Sequence, residues 1–282
     1  MTLNNIGAYR LFKYAVYAFL TINIGLFFHE EWNALSVRFV DGLILGNVME
    51  AFASTIDTTA WVVLLLMFEL ETYVLDDRQL TRRVQLALQL TRAICYVVIV
   101  SAFSGYVAKV MFLAQASPLA AVDGLCELAN QGWSFAIDLD EYVPLSNANC
   151  AGLAASLDLI QFLDLNVVVD QDGYRDLFRL AWVDVINSGT WLLVVALLEL
   201  DVWLQEQNRL DGAAYSASNA AKVVFYTILF AAAVYWGFKG DFVDFWDAFL
   251  WLVAFVFIER NVIEWRAENL TAPHPGDAIS ST

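Results

Sequence analysis

An apolar segment that occurs twice sets the terms for this chain. Residues 61–80, WVVLLLMFELETYVLDDRQL, reappear 130 positions later as residues 191–210, WLLVVALLELDVWLQEQNRL. Both copies are helix-length hydrocarbon runs interrupted by carboxylates, Glu69 and Glu71 in the first, Glu199 and Asp201 in the second. Of the 282 residues 60% are hydrophobic and the mean hydropathy is +0.58, so lipid is the solvent of much of the surface. A charge at mid-bilayer costs about 3 kcal/mol on insertion scales and marks a functional site or a paired one.

Crossing a bilayer takes roughly 20 apolar residues at about 1.5 Å each. Such stretches fall near residues 10–28, 51–75, 92–114, 180–203, 219–238 and 243–262. The expected fold is an all-α integral membrane protein of six transmembrane helices in parallel-repeat hairpins. Residues 1–114 hold the first three helices and residues 179–264 the last three. Between them, residues 115–178 form an acidic cap with ten acids and one base, and residues 265–282 read as a disordered cytoplasmic tail. Within the cap, residues 151–163 read as an amphipathic helix, and residues 40–50 as an interfacial one. Lys and Arg gather at the span ends shared with the N-terminus, which orients both termini to the cytoplasm of a cell (inner) membrane and the cap to the outside. The first span, followed by Phe27-Phe28-His29-Glu30-Glu31-Trp32 without a small-residue cleavage site, reads as an uncleaved signal anchor. Cys126 and Cys150 both lie in the cap and are expected to form a disulfide.

The 130-residue offset also matches Asp57 with Asn187, Arg92 with Lys222, Tyr96 with Tyr226, and Lys109 with Lys239. A fainter third copy pairs the sixth span with the first. Asp247, Trp251 and Glu259 keep the spacing of Asp57, Trp61 and Glu69, and Lys13-x-x-x-Tyr17 that of Arg92-x-x-x-Tyr96. Three hairpins around a pseudo-threefold axis, in circularly permuted order, would follow.

Helical rise sets the depths. Glu69 lies about 12 Å beyond Trp61 at about 1.5 Å per residue, level with Arg92, while Lys109 lies level with Asp57. The second hairpin sets Lys222 near Glu199 and Lys239 near Asn187 or Asp184, and the permuted one sets Lys13 near Glu259. Glu69, Glu199 and Glu259 are expected to face the interior and Glu71 and Asp201 the headgroups. The tryptophans, at one depth, read as an interfacial belt.

These residues fit a small-cation channel or transporter. Asp57, Asp184 and Asp247 would draw ions from an acidic vestibule toward Glu69, Glu199 and Glu259, with Arg92, Lys222, Lys13, Lys109 and Lys239 as charge partners. The same charges also fit an accessory or scaffolding membrane subunit, in which ion pairs lock helices and the cap docks a partner. The expected partners are membrane lipids and small cations, with a second copy or another membrane subunit possible and no nucleic acid. An enzyme is not expected: there are two histidines, His29 and His274, and no Cys-x-x-Cys, phosphate-cradling glycine loop or Ser/His/Asp set. No cofactor is expected beyond a weak Ca²⁺ option at Asp170, Asp172 and Asp176, which compete with helix capping for that role. His29 with Glu30 and Glu31 reads as a solvated cluster ending a helix.

Overall fold

The computed structural model describes residues 3–255, except for 41, 45, 72–74, 76–80, 120–121, 123, 155–157, 164 and 208–211. Glu259 and the tail lie outside the described residues. The chain is mostly helical: α1 (Leu3–Arg38), α2 (Val48–Ala51), α3 (Ala53–Glu69), α4 (Arg82–Leu113), α5 (Cys150–Leu153), α6 (Gln171–Glu206), α7 (Gly212–Lys239) and α8 (residues 242–255). Four of these helices carry segments long and apolar enough to cross a membrane: Arg10–Arg38 of α1, α4, Gln171–Gln205 of α6, and α7. Large apolar side chains project outward from all four, among them Leu11 and Ile22 on α1, Ile94 and Val97 on α4, Ile186 and Leu193 on α6, and Val223 and Phe230 on α7. In water such a surface would be a liability; in lipid it is the required one.

Helix starts are fixed by oxygen acceptors on their first amides. Thr81 accepts from the Val84 N–H of α4, and Asp170 from the Gly173 N–H of α6 at 2.8 Å. At α3 the acceptor comes from another helix. Glu31 of α1, 2% exposed, accepts from the Ser54 and Thr55 amides at 2.8 and 3.2 Å and from the Thr55 hydroxyl at 2.6 Å. Glu31 is therefore a buried cap between helices and does not belong to a solvated cluster.

Helix α3 packs against α1 and α4, and α6 against α4 and α7. Helix α8 meets α1 through Asn23 and Asp247 and through Phe19 and Trp246, and touches α7 where Gly237 lies against Phe245. The described helices thus close a ring. Gly105 lets α4 approach α2, since a Cβ there would collide with the Met49 carbonyl. Gly240, at φ +88°, makes the reversal from α7 to α8.

The cap departs from the all-α expectation. It holds a five-stranded sheet in the order β1 (Ser117–Pro118), β4 (Leu159–Gln161), β5 (Val167–Asp170), β2 (Ser134–Ala136) and β3 (Tyr142–Pro144), antiparallel except between β2 and β5. The helix expected over residues 151–163 shrinks to Cys150–Leu153, and its C-terminal part becomes β4. There Leu159, Ile160 and Phe162 are buried in the sheet core. The interfacial helix expected over residues 40–50 is likewise reduced to α2, preceded by a turn at residues 46–47. Cys126 and Cys150 are joined in a disulfide. One apolar core runs from the sheet (Phe135, Val167, Val168, Val169) into the cap ends of α4, α6 and α7 (Val110, Leu113, Leu180, Trp236), so the cap is continuous with the bundle.

Candidate functional site

Two neighbouring cavities lie between the cap and the middle of the bundle. The outer one, about 380 Å³, is lined by His29, Glu30, Lys109, Asp138, Asp140, Tyr142, Asp241 and neighbours. Its roof comes from the cap and is pinned by Asp140. That carboxylate meets Lys109 of α4 at 2.8 Å and Arg38 of α1 at 3.6 Å, and Arg38 also binds Glu50 at 2.8 Å. Burial pushes the Asp140 carboxyl up, but the facing Lys109 and Arg38 outweigh it and hold it below its ordinary range. Asp138 has no such neighbour at contact distance. Burial and the negative charge of Asp241 push it up to about 6. Asp241 is itself raised, chiefly by burial, and burial takes the Tyr142 phenol to about 12.

The inner cavity, about 40 Å³, shares Ser54, Asp184 and Asp244 with the outer one. Its other walls include Asp57, Thr58, Asn187, Asp247, Phe27, Tyr106 and Trp236. Its floor is Trp61, Trp191 and Trp251, one each from α3, α6 and α8, in mutual contact with ring centroids 6.0, 6.2 and 6.4 Å apart. The interfacial belt expected for these indoles is thereby overturned: three rings are large enough to meet at the bundle centre, and they fill it. Asp57 accepts from the Tyr106 hydroxyl at 3.4 Å through Oδ2, and Asp247 from the Asn23 amide at 2.8 Å. Among the described residues, four carboxylates line this cavity and no Lys, Arg or His does.

Farther from the cap, the charges are closely paired. Lys13 meets Glu69 at 2.6 Å with both side chains buried, and Tyr14 and Tyr17 also donate to Glu69. Arg92 binds Glu71 at 2.7 Å, and Lys222 binds Asp201 at 2.7 Å, where Ser218 donates as well. Tyr96 donates to the exposed Glu199 at 2.9 Å.

Most partner assignments made from depth alone are corrected. Arg92 and Lys222 take Glu71 and Asp201 rather than Glu69 and Glu199, and Asp201 is buried rather than turned to headgroups. Depth matching fails because residues two apart on a helix point about 200° apart, so azimuth chooses the partner. Lys13 takes Glu69; Glu259, its expected partner, lies outside the described residues. Lys109 goes to Asp140 of the cap instead of Asp57, and Lys239 to Asp176 at 2.7 Å instead of Asn187 or Asp184. Of the expected pathway acids, Asp57, Asp184 and Asp247 share one cavity, whereas Glu69 and Glu199 do not line it. The Ca²⁺ candidates serve other ends: Asp170 caps α6, Asp172 pairs with Arg175, and Asp176 with Lys239. Among the described residues no three His, Cys, Asp or Glu side chains are arranged to hold a metal. Asp244, Tyr106 and Trp236 were not singled out by the sequence reading. Yet Asp244 stands three residues before Asp247 as Asp184 stands before Asn187, a signal the repeat already contained.

No family model, curated protein or solved structure matches this chain.

Proposed function

We propose that this protein is a small-cation channel or transporter, with the cap outside the cell and both termini in the cytoplasm. The observation that carries the reading is a pair of neighbouring acidic cavities that share Ser54, Asp184 and Asp244, the inner one lined by no Lys, Arg or His among the described residues and floored by three tryptophans. Negative walls with little solvent concentrate cations and exclude anions, and intramembrane carboxylates that line a cavity mark ion paths. In this reading the indoles close the route toward the cytoplasm and the cap side stays open. The disulfide in the cap fits an oxidising exterior.

Six crossings and a pseudo-threefold plan belong to the same proposal. Helices α3 and α8 run alongside the four longer ones and bring their tryptophans to the same point. Position by position, Asp57, Asn187 and Asp247 line the cavity, as do Ser54, Asp184 and Asp244. So do Phe27, Tyr106 and Trp236, each fourteen residues after Lys13, Arg92 and Lys222. Tyr17 donates to Glu69 and Tyr96 to Glu199. Arg92–Glu71 and Lys222–Asp201 also repeat, and the third copy has Asn261 where an acid would stand, which accounts for Lys13 turning to Glu69.

The test is flux of alkali cations into liposomes holding the pure protein. Saturable uptake, reduced in Asp57→Asn and Asp247→Asn, is expected. A folded protein that passes no cation at any voltage or pH overturns the proposal. It would favour the rival scaffold, to which the cap clamp and the inner-end ion pairs are equally suited.

A further inference from the structure

The inner cavity has the properties of an ion site rather than of a water-filled gap in a conduit. Asp57 is 9% exposed, and its Oδ1 has no hydrogen-bond partner among the described residues; neither has Oδ1 of Asn187 across the same cavity. Two buried acceptors without donors are costly, and among the described residues no Lys, Arg or His lines the cavity to repay them. A cation would satisfy both. Apart from the indole and Asn187 N–H groups, the polar lining among the described residues is oxygen: carboxylates, the Asn187 carbonyl, and the hydroxyls of Ser54, Thr58 and Tyr106. Oxygen donors select hard cations over soft ones.

Size narrows the class. About 40 Å³ has room for no more than a few waters, at the roughly 10–15 Å³ that one needs, so an ion enters having shed part of its shell. That disfavours Mg²⁺, which dehydrates reluctantly. The lack, among the described residues, of three acidic, His or Cys groups placed to hold a metal disfavours a carboxylate-rich divalent centre. Trp236, whose Nε1 is also unpartnered at this cavity, would donate to a water retained by the ion.

We propose that the cavity bounded by Asp57, Asn187 and Asp247 binds one partly dehydrated Na⁺ on the tryptophan floor. The site deepens the cation-transport reading and rests on it for its physiological sense, but its test is independent of flux. Purified protein is titrated with NaCl against choline chloride at constant ionic strength. Tryptophan fluorescence and melting temperature are followed, and ²²Na⁺ binding gives the stoichiometry. The expected result is one saturable site per chain, a fluorescence change from the indoles beneath the ion, and a melting temperature that rises with Na⁺. Asp57→Asn should weaken binding roughly tenfold or more, as loss of a charged partner does, while melting in choline stays unchanged or rises. Glu199→Gln, outside the cavity, should bind as the parent does. Should the Asp57 variant fail to fold, Asn187→Asp serves instead: a further carboxylate beside Asp57, Asp184, Asp244 and Asp247 should shift preference from Na⁺ toward Ca²⁺. The proposal falls if Na⁺ produces no saturable signal, if Asp57→Asn binds normally, or if only Ca²⁺ or protons produce the signal. Site-dependent binding without flux would retire the transport reading alone; flux without it would retire the site alone.

Discussion

The two ends of this bundle treat buried charge in opposite ways. Away from the cap, Glu69 is met by Lys13, Tyr14 and Tyr17, Glu71 by Arg92, and Asp201 by Lys222 and Ser218. Nearer the cap, Asp57, Asp184, Asp244 and Asp247 line a cavity to which, among the described residues, no Lys, Arg or His contributes. Charge paired with a base stabilises one arrangement of helices; charge without one stores a demand that a ligand can meet. The sequence marks both groups alike, as acids inside apolar helices.

The sharpest way to break this contrast is at the Lys13–Glu69 pair. Lys13→Met leaves a buried carboxylate uncompensated and should cost about 3–5 kcal/mol of stability, read as a lowered unfolding midpoint in detergent. Lys13→Met combined with Glu69→Leu should recover most of that loss, because no lone charge remains. Next in size is the cap. Cys126→Ser opens a 24-residue loop and should cost about 3 kcal/mol, seen as faster proteolysis within residues 115–170 while the helices stay protected. If both regions unfold together, the shared core of cap and bundle dominates their boundary.

Smaller effects sharpen the gradient. The Arg92–Glu71 pair is about a third exposed (39% and 27%), so Arg92→Met should cost no more than about 1 kcal/mol, well below Lys13→Met in the same assay. The last test is pH. The Asp138 carboxyl is raised by burial and Asp241 to about 6, so folding favours its protonated form. That stabilising contribution is complete below about pH 4, the unfolded value, and is lost as pH rises through about 6. Asp138→Asn should therefore flatten the fall in cap stability between those values, measured by hydrogen exchange of residues 134–144. A slope unchanged by the substitution would assign the titration to another carboxylate.

Much of this was legible in the chain. The apolar runs require helices in lipid, since a bilayer leaves backbone amides no other partner. The repeat by itself singles out Trp61, Trp191, Asp57 and Asp247. The cap was less legible: strands of two to four residues carry almost no periodicity, and the SerLeuAspLeuIleGlnPheLeu run (residues 156–163) fits helix or strand until β5 pairs with it.

Sequence alone determined the apolar helices, the Cys126–Cys150 spacing and the set of intramembrane charges, because composition and local periodicity fix those. Which charges meet was decided only in three dimensions. Helical rise gives depth, but the rotation of each helix against its neighbours sets direction. That rotation sent Lys13 to Glu69, Lys109 to Asp140, and left Asp57 facing a cavity.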